Sequence, residues 1–133
     1  MSANREIVRA PGAPGAIGPY SQAVIVDVRS AGALLFCSGQ IPLDPGTGEL
    51  VGATAAEQAR RCLENLAAVC DAAHTTLDRA VRLTVYMTDL GAFAEVNEVY
   101  GSFFAEEPPA RAAIGVAQLP RGAQVEIDAI VAL

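Results

Sequence analysis

Two hydrophobic periods alternate along the chain, and their order is the feature that most constrains its fold. Apolar residues at every second position predict strands, and apolar residues three and four apart predict helices. Strands are predicted at 22–30 and 33–41, within 78–89, and near 111–118 and 123–132, and helices at 54–73 and 92–105. The order ββαβαββ predicts one α+β domain over residues 1–133, with two helices packed on one face of a mixed sheet.

Local signals set several boundaries within this pattern. Thr54 and Glu57 have the spacing of a capping box at the start of the first helix, and the proline pair at 108–109 ends the second. The proline- and glycine-rich residues 1–19 predict an irregular arm, and residues 30–32 predict a tight connection between the first two strands.

The composition indicates that the folded chain buries an apolar surface against further copies of itself. Hydrophobic residues make up 52% of the 133 residues and charged residues only 18%, a high apolar load for a chain of this length. The net charge of −6, with nine scattered arginines as the basic residues, argues against nucleic acid as a partner. No basic amphipathic stretch or signal-peptide core is evident, so neither a membrane partner nor export is expected, and the expected location is cytoplasmic.

The cysteines and the histidine do not suggest a metal or cofactor site. Cys37, Cys62 and Cys70 give an odd count without a CxxC pair, which favours buried, reduced thiols. His74 is the one histidine, and its polar surroundings favour a helix end or a solvent-exposed loop. Without clustered Cys and His residues, we expect no zinc site and no bound cofactor.

The segment PPARAAIGV, residues 108–116, places one arginine at the start of a stretch suited to burial. Arg111 cannot shed its charge, so it needs a partner there. The alternation predicts that the bulky Ile114 and Val116 face the helices and that Arg111 faces away from them. The same rule applied to the last strand turns Glu126 away from the helices, so both charged residues are expected on the helix-free face.

An arginine and a carboxylate on one face permit two interpretations. A guanidinium offers paired donors to a carboxylate ligand, and Glu126 could hold or deprotonate a water molecule, which together would make a cleft for a small anion. Alternatively, Arg111 and Glu126 pair with each other across a subunit interface. Spacing alone leaves both interpretations open.

Six segments in order resemble the RidA/YjgF reactive-intermediate deaminase family, also called the endoribonuclease L-PSP family. The segments are AIGPYSQAV (16–24), FCSGQIPLDPGTGEL (36–50), EQARRCLENLAAV (57–69), VYMTDLGAFAEVNEVYGSFF (85–104), PPAR (108–111) and LPRGAQVEIDAIV (119–131). The resemblance implies a chorismate-mutase-like homotrimer with sheets inward, helices outward and clefts between subunits. It also implies hydrolysis of 2-imino acids or their enamine tautomers to 2-keto acids and ammonia, without metal or cofactor.

The resemblance assigns the catalytic roles to three residues. Arg111 matches the arginine that clamps the substrate carboxylate, and Glu126 matches the glutamate that activates water. Tyr20 matches a tyrosine whose hydroxyl closes the pocket. The reaction is chemically modest, because it needs only a fixed electrophile, an oriented water molecule and proton transfer to nitrogen.

The resemblance also assigns substrate contacts and reveals one departure. Ser38 and Gly39 match a loop that lines the site, and Asn97 matches an asparagine close to it. Ala113 stands where many members acting on imino acids have a cysteine, although its backbone could still contact the substrate. Because Arg111 is kept and the cysteine is missing, the resemblance supports the reaction class better than the identity of the substrate.

Two further functions are compatible with these residues. One is a pathway-specific deaminase or hydrolase of another carboxylated enamine. The other is a non-catalytic trimer that binds small carboxylates or acts as a chaperone. A ribonuclease activity, which has also been attached to this family, is disfavoured by the acidic composition and the lone His74.

Overall fold

A computed structural model describes residues 5–28, 32–104 and 106–133. The strands are β1 (Arg5–Val8), β2 (Ala23–Asp27), β3 (Ala33–Gln40), β4 (Ala80–Met87), β5 (Ala110–Gly115) and β6 (Val125–Ala132), and the helices are α1 (Ala55–Ala72) and α2 (Phe93–Phe103). Short 3-10 turns occur at Leu77–Arg79, Leu90–Ala92 and Pro120–Gly122. Ser30 and Ala31 of the predicted tight connection, and Ala105 at the predicted end of the second helix, lie outside the described residues.

The ends of α1 follow the signals predicted from the sequence. The Thr54 side chain accepts from the Glu57 amide at 3.1 Å, and the Glu57 carboxylate accepts from the Thr54 amide at 3.0 Å, so the capping box is confirmed. Beyond the other end, His74 adopts a positive φ of 62° and is exposed, as expected for a residue that follows a helix. The capping box therefore sets where the chain enters α1, and the turn at His74 sets where it leaves.

The six strands form one mixed sheet in the order β1-β2-β3-β6-β4-β5. The β4–β5 pair is parallel because α2 crosses between these two strands, and the other pairs are antiparallel. The predicted α+β architecture is confirmed. The irregular arm was predicted wrongly in part, because β1 within it pairs with β2 at the sheet edge.

Both helices cover one face of this sheet and build the core there. Leu63, Leu66 and Val69 of α1 are fully buried, as are Leu83 of β4 and Ile127 of β6. Each such side chain contributes roughly 1.5–3 kcal/mol by leaving water. The alternation in the last strand predicts that its helix-facing residues are buried, and this is confirmed for Val125, Ile127, Ala129 and Val131. Glu126 lies on the opposite face, as predicted.

The opposite, helix-free face of the sheet is unusually apolar for a solvated surface. The strand register places Ile7, Val24, Phe36 and Ile130 side by side across it. Ile7 is 40% exposed and Phe36 42% exposed in the isolated chain. A face of this kind favours contact with another protein surface. Among the described residues, no helix is both long and apolar enough to cross a membrane.

Candidate active site

Arg111 lies on the helix-covered face of the sheet, contrary to the prediction. The parallel register pairs Arg111 with Leu83 and Ile114 with Tyr86, and paired residues of neighbouring strands point the same way. Leu83 is in the core, so Arg111 points toward the helices, whereas Ile114 shares the helix-free face with Glu126. β5 is an edge strand, and its register with β4, rather than the size of its own side chains, decides which residues face the helices.

Three residues of α2 surround the Arg111 guanidinium. Its Nη1 donates to the Asn97 Oδ1 at 2.7 Å, and its Cζ lies 5.2 Å from the centre of the Phe93 ring and 4.7 Å from that of Tyr100. Arg111 opens onto a cavity of about 410 Å³, the arginine pocket. The arginine pocket is lined by Asn97, Tyr100, Gly101, Phe104, Pro108, Pro109 and Arg111.

Glu126 lies in a second cavity, on the helix-free side of the sheet. This glutamate pocket has a volume of about 390 Å³ and is lined by Ile17, Tyr20, Ser38, Gly39, Ile41, Pro120 and Glu126. None of the hydrogen bonds and ion pairs among the described residues involves the Glu126 carboxylate. A half-buried carboxylate without an internal cation or donor is available to a ligand or to water.

The arm and β3 are joined at the glutamate pocket, which positions two of the predicted site residues. The Ser38 hydroxyl donates to the Ser21 carbonyl at 2.5 Å, and the Ser38 amide donates to the Gln22 carbonyl at 2.9 Å. Ser38 therefore fastens the segment that carries Tyr20. The Tyr20 hydroxyl accepts from the Ile17 amide at 3.3 Å, which leaves its own proton free for donation.

The environment of Glu126 disfavours its ionised form. Burial and, to a smaller extent, the charge of Asp128 raise the pKa of the Glu126 carboxyl above its usual range. Asp128 lies two residues along β6 on the same face and accepts from the Tyr86 hydroxyl at 2.9 Å. Burial and this bond to Asp128 raise the pKa of Tyr86 as well. A carboxyl group that titrates nearer to neutrality is suited to accepting and returning a proton.

Gly39 leaves the space in which the Glu126 carboxylate sits. A Cβ at Gly39 would overlap the Oε2 atom of Glu126 and lie 3.0 Å from its Cδ. Gly39→Ala should therefore displace the carboxylate. We expect kcat/KM of a reaction that uses the Glu126 carboxylate to fall about 100-fold, because small displacements of a reacting group have effects of that size. The free energy of unfolding should change little. Steady-state kinetics and thermal melts of the purified variant measure the two quantities.

Gly15→Ala is the matched control, since a Cβ at Gly15 meets no atom within 4 Å. It should retain the wild-type rate. Equal activity in the Gly39 and Gly15 variants would show that catalysis does not depend on the position that the Glu126 carboxylate occupies beside Gly39.

The predicted site residues form two groups within one chain. Tyr20, Ser38, Gly39 and Glu126 line the glutamate pocket, and Asn97 and Arg111 line the arginine pocket. β5 and β6 are two positions apart in the sheet, about 10 Å at the usual strand spacing, and the two charged groups lie on opposite faces.

One predicted contact does not join either group. Ala113 is exposed on β5 and does not occur among the described residues that line the two pockets.

Sequence reasoning missed several neighbours of the site. The apolar side chains of Phe93 and Tyr100 indicate only a helix face that packs against the core, although their spacing with Asn97, four and three residues, places all three on one helical face. The pairing of Tyr86 with Asp128 depended on a strand register that the sequence does not reveal. Among the described residues, no group of three or more His, Cys, Asp or Glu side chains could hold a metal ion.

Comparison with known proteins places the chain and its fold in one family. Residues 11–133 match the sequence model of the family described as Endoribonuclease L-PSP. The chain is 55% identical to protein DfrA of Myxococcus xanthus over 126 residues, 95% of this chain and 94% of that protein. It is 43% identical to the human 2-iminobutanoate/2-iminopropanoate deaminase over 126 residues, 95% of this chain and 88% of the human protein.

A solved structure agrees with this assignment. The crystal structure of Escherichia coli TdcF with bound serine superimposes with a TM-score of 0.86 at 42% identity, covering 96% of this chain and 98% of TdcF. The match extends over nearly the whole of both chains, so it includes the elements that carry both pockets. The chain therefore belongs to the Endoribonuclease L-PSP family, the RidA/YjgF family that its sequence motifs resemble.

Proposed function

We propose that the protein hydrolyses 2-imino acids and their enamine tautomers to 2-keto acids and ammonia, at a site shared by two copies of the chain. The observation that carries this proposal is the Glu126 carboxylate, which has a raised pKa, has no hydrogen-bonding or ionic partner among the described residues, and lies in an open pocket beside Tyr20. The identity of 43% to a human protein named for this reaction supports it. Serine bound to TdcF, a small amino acid with a carboxylate, agrees with the ligand class.

The site must be shared, because one chain cannot bring Arg111 and Glu126 to the same small molecule. The sheet itself separates their two pockets. In the proposed homotrimer, the β5 edge of one copy packs against the helix-free face of the next. The arginine pocket then meets the neighbour's glutamate pocket, and the exposed Phe36 and Ile114 become buried.

The first half of the reaction adds water across the C=N bond. Arg111 binds the substrate carboxylate through paired N–H donors and so fixes the iminium carbon over the neighbour's Glu126. Glu126 takes a proton from water as the water oxygen bonds to that carbon, and the π electrons of C=N move to nitrogen. The product of this half is a carbinolamine, with Glu126 protonated.

The second half breaks the C–N bond. Glu126 returns its proton to the amino nitrogen, which makes ammonia a good leaving group. Loss of the hydroxyl proton, accepted by Glu126, forms the carbonyl as the C–N electrons leave with nitrogen. The Tyr20 hydroxyl can donate a hydrogen bond to the oxygen that water has added to the substrate carbon, both in the carbinolamine and in the carbonyl that forms from it. The 2-keto acid and ammonia are released, and the proton on Glu126 passes to solvent.

A direct test follows ammonia release from an enamine that a dehydratase generates in situ. We expect release well above the spontaneous rate, with 2-oxobutanoate, a product-like carboxylate, acting as a competitive inhibitor. Binding of 2-oxobutanoate without any acceleration would contradict the catalytic proposal and would indicate a carboxylate-binding protein instead.

The pH dependence should report the raised pKa of Glu126. A base acts only when deprotonated, so kcat/KM should fall on acidification through a pKa above the ordinary value of 4.5. Asp128→Asn removes the negative charge that contributes to this rise but keeps an acceptor for Tyr86. Its acid limb should therefore lie at lower pH than that of the wild type, as a pH–rate profile would measure.

Asp71→Asn provides the control, because Asp71 is an exposed acid of α1 on the other side of the sheet. Its acid limb should coincide with that of the wild type. An acid limb that is the same in all three proteins would exclude electrostatic coupling between Asp128 and the catalytic base.

A further inference from the structure

We infer that Phe93, Asn97 and Tyr100 form an uncharged cradle that orients Arg111 and leaves only one edge of its guanidinium open to the ligand. The inference rests on the proposed role of Arg111 as the carboxylate clamp, and it adds Phe93 and Tyr100 as positioning residues for that role. The three residues occupy positions i, i+4 and i+7 of α2 and thus one face of the helix.

The two rings lie close to the Arg111 guanidinium. Phe93 and Tyr100 are seven residues apart, about 10 Å along the helix axis, and the Arg111 Cζ lies over both rings, at 5.2 Å and 4.7 Å. A cation over an aromatic face is attracted by the negative charge of that face. In the inferred cradle the two rings cover the flat faces of the guanidinium, which then offers its remaining N–H donors in its own plane and suits edge-on pairing with a carboxylate.

The cradle orients Arg111 without cancelling its charge. Asn97 accepts from one guanidinium nitrogen at 2.7 Å through a neutral amide oxygen, and the two rings are neutral as well. A carboxylate at position 97 would fix the same geometry but would neutralise the cation that the ligand needs. The neutral partners therefore distinguish an arginine held for an anionic ligand from one held in a structural ion pair.

The Tyr100 ring, rather than its hydroxyl, carries this role. Tyr100 is 5% exposed, and its hydroxyl is buried without a hydrogen-bond partner in the part of the chain that the structure describes. An unpartnered buried hydroxyl does not favour folding, so Tyr100→Phe should be tolerated. The conservative variant thus separates stacking from hydrogen bonding.

The test uses side-chain NMR and 2-oxobutanoate binding, neither of which requires turnover. Wild-type Arg111 N–H resonances, assigned by their loss in Arg111→Ala, should be shifted upfield by the two rings. Phe93→Leu should move them toward ordinary positions and weaken 2-oxobutanoate binding about fivefold. Tyr100→Phe should match the wild type in both measurements, and Asn97→Asp should weaken binding more than Phe93→Leu does.

Phe103→Leu is the matched control, because Phe103 belongs to the same helix and stacks on Arg60, outside both pockets. It should leave the Arg111 resonances and the affinity unchanged. Arg111 resonances and 2-oxobutanoate affinity that are the same in Phe93→Leu as in the wild type would overturn the inference. Normal Arg111 shielding in a protein that binds 2-oxobutanoate but hydrolyses no imine would contradict the proposed function and leave the cradle supported.

Discussion

Replacing Arg111 with alanine is expected to lower kcat/KM for imine hydrolysis at least about 1000-fold, because the variant loses both charge-assisted donors and the orientation they impose. Arg111→Lys keeps the charge, but an ammonium group cannot make the planar, forked contact or stack between Phe93 and Tyr100. We therefore expect the lysine variant to remain about 100-fold below the wild type. Ammonia release from an enamine generated in situ measures both variants.

Arg60→Ala is the control for this loss of an arginine. Arg60 also stacks on an aromatic ring, that of Phe103, but it lies on α1 outside both pockets. It should retain full activity. Unchanged hydrolysis in Arg111→Ala would refute the role of Arg111 as the carboxylate clamp.

Replacing Glu126 with glutamine should remove catalysis while preserving ligand binding. The amide has the shape of the carboxylate but cannot accept the water proton, so kcat should fall roughly 100- to 10,000-fold. The affinity for 2-oxobutanoate should stay within about twofold, because Arg111 supplies the principal contact with its carboxylate. Single-turnover kinetics and calorimetric titration separate the two effects.

The same substitution should not destabilise the fold. A carboxyl group whose pKa is raised in the folded state binds its proton more tightly there, so its contribution to stability is lost as pH rises through that raised pKa. At pH 7 glutamine removes the ionised form, and the free energy of unfolding should stay equal or increase. Glu98→Gln, an exposed position on α2, should change neither rate nor stability. A fully active Glu126→Gln protein would exclude Glu126 as the base.

Strongly periodic segments made much of the fold predictable from the sequence. The Thr54 capping box, the burial of Ile127 and the outward position of Glu126 followed from rules that depend only on near neighbours along the chain. β1 was missed because it has only four residues, two of them the charged Arg5 and Glu6, in a segment rich in turn-forming residues. Its hydrogen bonds to β2 hold these residues in a strand, although the local sequence alone does not favour one.

The face of Arg111 was not predictable from its own strand. The alternation rule was applied on the assumption that bulky residues face the core of their own chain, but Ile114 is 45% exposed on the helix-free face, which also exposes Phe36 and Ile7. Bulky apolar side chains are buried both in the core of a chain and at an interface with another subunit, so residue size cannot distinguish the two. The register with β4 resolves the ambiguity, and only the folded structure provides it.

The central claim is that one active site takes Arg111 from one copy and Glu126 from another, and subunit mixing tests it most directly. Arg111→Ala and Glu126→Gln proteins, each inactive alone, are co-refolded in equal amounts. We predict recovery to about one quarter of the wild-type rate, because random assembly places an intact Arg111 beside an intact Glu126 at that fraction of interfaces. Mixed oligomers that form but stay as inactive as their parents would contradict the shared site.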